Sequence, residues 1–309
     1  MPRARLLPTV LLALVPGAAW TQGNPVGPEF RVNTYTTGWQ RMPAVAVDPS
    51  GNFVVVWESR DQDGSIYGVF GQRYASSGAP LGPEFPVNTF TTADQNRPSV
   101  AADASGNFVV VWRSYQQDGS SWGVFGQRYA SSGTTLGPEF EVNTYTPGDQ
   151  QYPSVAADPS GSFVVAWQSF GQDGSTEGVF AQRYASSGAP LGPEFQVNTY
   201  WTSYQRFPSV AADAAGNFIV VWHSHLQDGS SIGIFGQRYA SSGAPLGPEF
   251  RVNTFTPFYQ AFPSVAADPA GNFVVVWYGS FGLDGSAAGI FGQRYSQIVP
   301  IELMHFRVE

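Results

Sequence analysis

The sequence repeats one unit of 55 residues five times. The tetrapeptide Gly-Pro-Glu-Phe begins at residues 27, 82, 137, 192 and 247, and a tryptophan recurs in the same register at residues 57, 112, 167, 222 and 277. Repeated sequence covers residues 27–295 of 309, with one extra residue in the fifth copy. Since a unit of this size does not bury its hydrophobic face alone, the copies must stack on one another.

Each unit is predicted to form four antiparallel strands, which we label A to D. In the first copy they cover residues 44–47, 53–57, 68–75 and 81–89. Between A and B, residues 48–51 read Asp-Pro-Ser-Gly, the residue order of a type I turn. Between B and C, the Asp-Gly pair at 63–64 is a hairpin signal. Because every connection is short, consecutive strands must lie side by side.

Five four-stranded units predict an all-β fold, the five-bladed β-propeller. Strand B is apolar at successive positions, as at residues 53–57, so both its faces must be covered by neighbouring blades. Strand A consists of small residues, as at 99–102, which suits the crowded centre of a ring. A β-solenoid is the second fold hypothesis, but three turns per repeat fit it poorly.

Closure of the ring can also be predicted. Copy five ends at Tyr295 without a clear strand D, whereas residues 27–34 read as a strand D with no A to C before it. We therefore expect residues 25–34 to complete the fifth blade by pairing with strand C at residues 291–295. The segment 296–309 competes for this place, and is either a C-terminal tail or a degenerate outer strand.

The first 21 residues have the features of a secretory signal. Arg3 and Arg5 precede an apolar stretch over residues 6–15, and small residues follow at 17–19. The stretch is too short for a good membrane span of about 20 residues. We therefore expect a secreted monomer that does not insert into a membrane, with residues 22–309 as a single propeller domain.

Composition excludes several classes of site and partner. The chain has no cysteine, so it has no disulfide scaffold, zinc–thiolate site or thiol nucleophile. Its net charge is −8 and it has no basic run, which argues against nucleic acid as a partner. We expect no cofactor.

The repeat itself resembles known sequences. The unit Pro-Ser-Val-Ala-Ala-Asp, then Gly-Asn-Phe-Val-Val-Val-Trp, then Phe-Gly-Gln-Arg-Tyr-Ala-Ser-Ser-Gly, is similar to repeats of about 55 residues in exported bacterial proteins whose function is generally unassigned. The plan of five near-identical blades resembles the five-bladed lectins of the tachylectin-2 type. This second resemblance is one of plan, without a lectin motif, and implies sugar binding.

Polar residues that occur in every copy are interpreted as framework. Asp48 and its equivalents begin the A–B turns, where aspartate bonds to its own backbone. Asp63 and its equivalents favour a hairpin turn over a calcium loop, since each loop offers one carboxylate. Arg73 is expected to pair with Glu84 between strands C and D.

Catalytic and metal-binding patterns are sparse. His223 and His225 lack a third ligand, so no metal site is predicted. A glycosidase needs two carboxyl groups of different pKa, and no catalytic residue is assigned. The distinctive candidates are the acids that do not recur in all copies, Glu58, Asp61, Asp94, Asp149 and Glu177.

The copies differ mainly in the D–A and B–C loops, which emerge on the same side of each blade. We call this side the loop face, and the opposite side, with the A–B and C–D turns, the turn face. Aromatic rings beside amide groups suit the apolar faces and hydroxyls of sugars. The predicted ligand-binding residues lie over blades four, five and one: Trp39, Gln40, Trp201, Tyr204, Gln205, His223, Tyr259 and Gln260.

The leading functional hypothesis is a binding module that recognises a carbohydrate or cell-surface polymer on the loop face. A structural or adhesive module without a small-molecule site is the second hypothesis. An enzyme that acts on a polysaccharide is the third.

Overall fold

A computed structural model describes residues 25–280 and 287–297. The chain divides into two compact units, Met1–Val32 and Asn33–Glu309. Residues 25–32 of the first unit contain no strand. The second unit is all-β in its described residues, and its five antiparallel sheets are the five blades of the predicted propeller. The predicted signal segment, residues 1–21, lies outside the described residues.

Each blade starts at the centre with strand A and proceeds outwards. The A strands are β1 Gln40–Val47, β5 Gln95–Ala102, β9 Gln150–Ala157, β13 Gln205–Ala212 and β17 Gln260–Ala267. The B strands are β2 Phe53–Arg60, β6 Phe108–Tyr115, β10 Phe163–Phe170, β14 Phe218–His225 and β18 Phe273–Ser280. The C strands are β3 Tyr67–Tyr74, β7 Trp122–Tyr129, β11 Glu177–Tyr184, β15 Ile232–Tyr239 and β19 Ala288–Tyr295. The short D strands are β4 Phe85–Pro86, β8 Phe140–Glu141, β12 Phe195–Gln196 and β16 Phe250–Arg251.

The hydrophobic core lies between successive blades. Val54 and Val56 of blade one belong to the same buried cluster as Val110 and Trp112 of blade two, and equivalent clusters join the later blades. Trp112 is fully buried. A tryptophan buries about 150–250 Å², so these interfaces are the main source of stability. The prediction that strand B is covered on both faces is confirmed for β6, β10 and β14, where nearly every residue is buried.

The outer strands are joined by polar contacts that differ from the predicted pairing of Arg73 with Glu84. Arg73 donates to the carbonyl of Leu81 in its own blade (2.8 Å) and to that of Ser131 in the next blade (2.6 Å). Glu84 instead accepts from the amide of Thr34 (2.6 Å). The predicted ion pair is wrong because the Arg73 side chain binds two carbonyl groups, one in its own blade and one in the next, while Glu84 binds a backbone amide.

In the described residues, the fifth blade has an uncovered face, the one that in the other blades packs against the following blade. Its sheet has three strands there, in the order β17-β18-β19. Val276 and Ile290 are 39% and 75% exposed, whereas the equivalent residues Val56 and Val69 of blade one are fully buried. Residues 25–34 do not form the predicted strand, and residues 298–309 lie outside the described part. Closure of the ring by residues 25–34 therefore stays a prediction.

In the parts of the chain that the structure describes, no helix is long and apolar enough to cross a membrane.

Candidate functional site

The loop-face ends of the five A strands carry an unusual backbone conformation. Each A strand has a bulge two residues after it begins, and the residue at this bulge has a positive φ although it is not glycine. Non-glycine residues adopt this left-handed conformation at an energetic cost, and such residues cluster at functional sites. The five residues are Met42 (φ 52°), Arg97 (58°), Tyr152 (54°), Phe207 (53°) and Phe262 (53°).

The side chains of these five residues form a continuous series across the blades. Met42 Sδ lies 3.5 Å from the Arg97 guanidinium, which lies 5.2 Å from the centre of the Tyr152 ring. Tyr152 meets Phe207 edge-on at 4.4 Å, and Phe207 meets Phe262 at 4.8 Å. We call these five residues the axial arc, since neighbouring A strands pack together at the centre of the propeller.

A second set of residues, on the B strands, supports the axial arc from the preceding blade. Glu58 accepts a hydrogen bond from the amide of Arg97 (3.0 Å), and Gln168 accepts one from the amide of Phe207 (3.2 Å). These amides belong to bulge residues, so the acceptors hold the strained backbone in place. The equivalent positions in the other blades are occupied by Arg113, His223 and Tyr278.

A third set lies immediately before the A strands, and its side chains divide the loop face into two halves. The backbone oxygen of each residue accepts from the amide of a residue near the end of its B strand, at 2.8–3.1 Å. The side chains are carboxylates in blades two and three and aromatic rings in blades four, five and one. The residues in chain order are Trp39, Asp94, Asp149, Tyr204 and Tyr259.

Asp94 is the loop-face acid of this set whose pKa is shifted by its surroundings. Its Oδ1 is buried and has no hydrogen-bond partner among the described residues. Burial raises the pKa of Asp94 above its ordinary value of 3.8, and the charge of Glu58 raises it further. Arg113 acts in the opposite direction and lowers it. A carboxyl group in this setting is suited to donate a proton.

The other acids near Asp94 are held by hydrogen bonds. Glu58 is 1% exposed and forms an ion pair with Arg41 while it accepts from the Arg97 amide. Asp149 is half-buried and accepts from Gln151 Nε2 at 2.9 Å. The Arg113 side chain bonds to Gln151 of blade three (2.7 Å), and the charges of Asp149 and Arg97 act on its pKa. Arg113 therefore lies between the acids of blades two and three.

Two further candidate acids have other partners. Glu177 forms an ion pair with Arg206 at 2.6 Å, on the aromatic half of the loop face. Asp61 lies in the first B–C loop beside Arg60, with 3.4 Å between Asp61 Oδ2 and Arg60 Nε. Neither acid is among the charges that act on the pKa of Asp94.

His223 lies in an aromatic environment, and His225 follows two residues later on the same strand. His223 is 2% exposed, and its two ring nitrogens have no hydrogen-bond partner among the described residues. The rings of Phe207 and Phe262 lie 5.1 and 5.9 Å away. Burial lowers the pKa of His223 to about 3, and the charge of Arg206 contributes in the same direction. His225 stacks on Tyr204 at 4.6 Å.

The remaining predicted aromatic residues differ in accessibility. Trp39 and Trp201 are 59% and 61% exposed, so each offers a flat surface to a ligand. Trp39 also lies beside two arginines of its own blade. Tyr204 is covered by the guanidinium of Arg206 at 4.2 Å, and Tyr259 contacts Phe262 at 6.5 Å. Tyr204, Tyr259 and His223 thus belong to one cluster with the aromatic end of the axial arc.

The predicted glutamines are placed inside the loops. Gln205 and Gln260 are fully buried, and Gln40 is half-buried. In each, Nε2 donates to the carbonyl three residues earlier: Thr37 (2.9 Å), Thr202 (3.2 Å) and Pro257 (2.7 Å). These side chains fix the D–A loops, which explains why glutamine occurs in every copy.

Sequence reasoning missed the axial arc as a set. Its members were visible as a position that varies between copies, with phenylalanine in blades four and five, but no sequence pattern predicts a positive φ at a non-glycine residue. The described residues contain no group of three or more histidine, aspartate or glutamate side chains suited to a metal.

No protein-family model and no curated protein matches the sequence. Several solved structures share the fold. One is a GH93 α-L-arabinofuranosidase of Fusarium graminearum in complex with arabinobiose: TM-score 0.53, 13% identity, 84% of this chain and 82% of that chain covered. Another is a Penicillium chrysogenum α-L-arabinanase complexed with arabinobiose: TM-score 0.52, 15% identity, coverage 82% and 76%.

These similarities correct the leading hypothesis. The expectation of a binding module without catalysis is contradicted, because the similar structures bear the names of arabinan- and arabinoside-cleaving enzymes. At 13–15% identity the similarity itself shows a shared fold. An activity for this chain must be argued from its own residues.

Proposed function

We propose that the protein is an exported glycoside hydrolase that cleaves a polysaccharide on its loop face. The observation that carries the proposal is Asp94, a carboxyl group whose pKa is raised by burial and whose Oδ1 is unpartnered among the described residues. Glycoside hydrolysis requires such a group as general acid, together with a second carboxylate.

Asp94 takes the role of general acid. It donates its proton to the glycosidic oxygen as the bond from the anomeric carbon to that oxygen breaks. Water supplies the hydroxyl that ends on the anomeric carbon, and the second carboxylate, Asp149, accepts the remaining proton of that water. Glu58 is not suited to touch substrate, since it is 1% exposed and already engaged by Arg41 and the Arg97 amide. We assign it a positioning role, because its charge raises the pKa of Asp94.

Asp149 is the second carboxylate of the proposal. It occupies the position in blade three that Asp94 occupies in blade two, and it is half-buried. Arg113 lies between the two blades, and its charge interacts with both acids. The two acids thus have different surroundings, as a glycosidase needs: burial raises the pKa of Asp94, whereas Asp149 accepts a hydrogen bond from Gln151.

The aromatic half of the loop face is proposed to hold the sugar chain. Exposed rings at Trp39 and Trp201 provide stacking surfaces for the apolar faces of sugars. Tyr204, Tyr259 and His223 extend this surface towards the axial arc. Gln40, Gln205 and Gln260 contribute by fixing the loops that carry these rings.

The direct test is to incubate the protein, beginning at residue 22, with arabinan, xylan, glucans and pectins and to measure new reducing ends. We expect release from at least one polymer. Asp94→Asn should reduce the rate by about 10²- to 10⁴-fold, because the proton donor is lost. Its melting temperature should stay near that of the original protein. Absence of products from every polymer, or full activity in Asp94→Asn, would contradict the proposal.

Export is part of the proposal and has its own test. The N-terminal residue of the protein recovered from the medium of a secreting bacterial host should lie between positions 19 and 23. Recovery of the intact N-terminus, or retention in the cytoplasm, would contradict export.

A further inference from the structure

Arg97 differs from the rest of the axial arc in chemical type. The other four members are a methionine and three aromatic residues, which pack against one another. Since four blades form the same bulge without a charge, the fold does not require an arginine at this position. The Arg97 backbone at the bulge is held by its own amide, which donates a hydrogen bond to Glu58.

The Arg97 guanidinium has no oxygen acceptor in the described residues. Its contacts are Met42 Sδ at 3.5 Å and the face of the Tyr152 ring at 5.2 Å. The other arginines near it are paired: Arg41 with Glu58, and Arg113 with Asn96 and Gln151. A guanidinium has five N–H donors, so Arg97 keeps most of its bonding capacity for a ligand.

The neighbouring arginine, Arg113, is not left with free donors in the same way. Arg97 and Arg113 are close enough for the charge of Arg97 to act on Arg113, but the charges of Glu58 and Asp149 act on Arg113 in the opposite direction. The Arg113 side chain also bonds to Asn96 and Gln151. Of these two arginines, Arg97 is therefore the one that can bind an anionic ligand.

Resting on the proposed function, we propose that the substrate is an acidic polysaccharide and that Arg97 binds the carboxylate of one of its uronic acid residues. The ring of Tyr152 adjoins Arg97 and meets Phe207 edge-on, so a sugar bound beside these rings can turn its carboxylate to the guanidinium. Arginine binds a carboxylate through two parallel N–H···O bonds. Arg97 is thus a specificity-determining residue.

The test uses pairs of polymers that differ only in charge. Binding is measured by affinity electrophoresis and calorimetry with polygalacturonate, alginate and hyaluronate, each beside its carboxyl-reduced form, in which every uronate is a neutral sugar. We expect at least one polyuronate to bind about 10- to 100-fold more tightly than its reduced form, the range for hydrogen bonds to a charged group. Equal binding of both forms in all three pairs would overturn the inference.

The repeat supplies well-matched variants. Arg97→Met introduces the residue found in blade one, so the fold should tolerate it, and it should abolish the preference for the charged polymer. Arg251→Gln removes the same charge at an exposed outer strand and introduces the residue of blade three, Gln196. This control should keep the preference. An unchanged preference in Arg97→Met, or equally strong and Arg97-dependent binding of dextran sulfate, would contradict recognition of a sugar carboxylate.

The two proposals fail in different ways. Cleavage of a neutral polymer that depends on Asp94 but shows no preference for uronate would reject the acidic substrate and leave the hydrolase in place. Binding of a polyuronate that depends on Arg97 without product from any polymer would reject the hydrolase alone.

Discussion

The two ends of the A strands differ in how much their sequence varies from blade to blade. At the turn face every A strand is followed by an aspartate whose carboxylate accepts from the amides two and four residues later, as Asp103 does from Ser105 and Asn107 at 2.8 and 2.9 Å. The equivalent bonds recur in the other blades. At the loop face the corresponding positions hold acids, arginines and aromatic rings that differ from blade to blade.

This difference separates framework from function. A bond that is needed in every blade fixes its residue in every copy, as at the turn face. The loop face meets its structural needs through the buried glutamines and through backbone amides, which leaves its other side chains free to differ. A single substrate requires a binding surface that differs from blade to blade, although the blades share one backbone.

The largest expected effect is on the free energy of unfolding, through the packing between blades that supports both faces. Replacing Trp167 with alanine leaves a cavity between two blades, where the side chain is fully buried. We expect the free energy of unfolding to fall by about 3–5 kcal/mol, as measured by urea denaturation. Trp201→Ala, an exposed tryptophan on the loop face, is the control and should cost little. If the two variants melt alike, the stacking of blades through strand B is not what stabilises the fold.

The next prediction concerns the stability of the protein at low pH, which depends on a buried histidine of the loop face. His223 is neutral in the folded protein, since its pKa falls from 6.5 to about 3. The unfolded chain binds a proton on this residue below pH 6.5, so stability falls between pH 6.5 and 3, by up to about 1.4 kcal/mol per pH unit.

His223→Gln should remove this loss of stability. Glutamine occupies the equivalent position in blade three, where it accepts from the amide of Phe207. The variant should match the original protein at pH 7 and exceed it at pH 4 in thermal melting. Parallel melting curves across this range would show that His223 is not held neutral.

A smaller effect tests the aromatic half of the loop face. Changing Trp39, Tyr204 and Tyr259 together to alanine should raise KM for the polysaccharide at least about tenfold, because stacking surfaces are lost. The melting temperature should change little. A triple variant of exposed turn-face leucines, Leu81, Leu136 and Leu191, should keep KM. Full retention of binding in the aromatic variant, or collapse of its fold, would reject this surface as the sugar site.

The smallest expected effects are shifts in the pH dependence of kcat/KM. A general acid works only when protonated, so the rate falls as pH rises through the pKa of Asp94, which burial has raised. Glu58→Gln removes a charge that raises this pKa and should move the alkaline limb to lower pH. Arg113→Gln removes a charge that lowers it and should move the limb to higher pH. Shifts in the same direction would contradict the assignment of Asp94.

The repeat was sufficient to predict the order of the strands, the A–B turns and the stacking of strand B. The strand bounds were less accurate: the first A strand begins at Gln40 and not at residue 44, and the first D strand is limited to Phe85–Pro86 within the predicted residues 81–89. The partners of the polar side chains were not predictable in the same way. Arg73 bonds to Ser131, which lies in the next blade, and Glu84 bonds to Thr34. Such contacts exist only once the blades have stacked, whereas a hairpin register suggests partners within one blade.

The positions of the candidate site residues were predictable in part, for a similar reason. Residues that differ between copies predicted aromatic side chains over blades four, five and one, and their role in binding stays a proposal. The glutamines were expected at the surface because they border those loops. Their burial follows from bonds to the loop backbone, which residue type alone does not reveal. The axial arc depends on a bulge and a positive φ at Met42 and its equivalents, and neither feature has a sequence signal here.

The most direct test of the account compares the acids at the two ends of β5. Asp94 precedes this strand at the loop face and Asp103 follows it at the turn face. Asp94→Asn should lose turnover of the polysaccharide by at least about 10²-fold and keep its melting temperature. Asp103→Asn should lose the bond to Asn107 Nδ2, melt about 2–4 °C lower and keep its turnover per folded molecule. If turnover falls equally in both variants, or falls in Asp103→Asn alone, the loop face is not where the chemistry takes place.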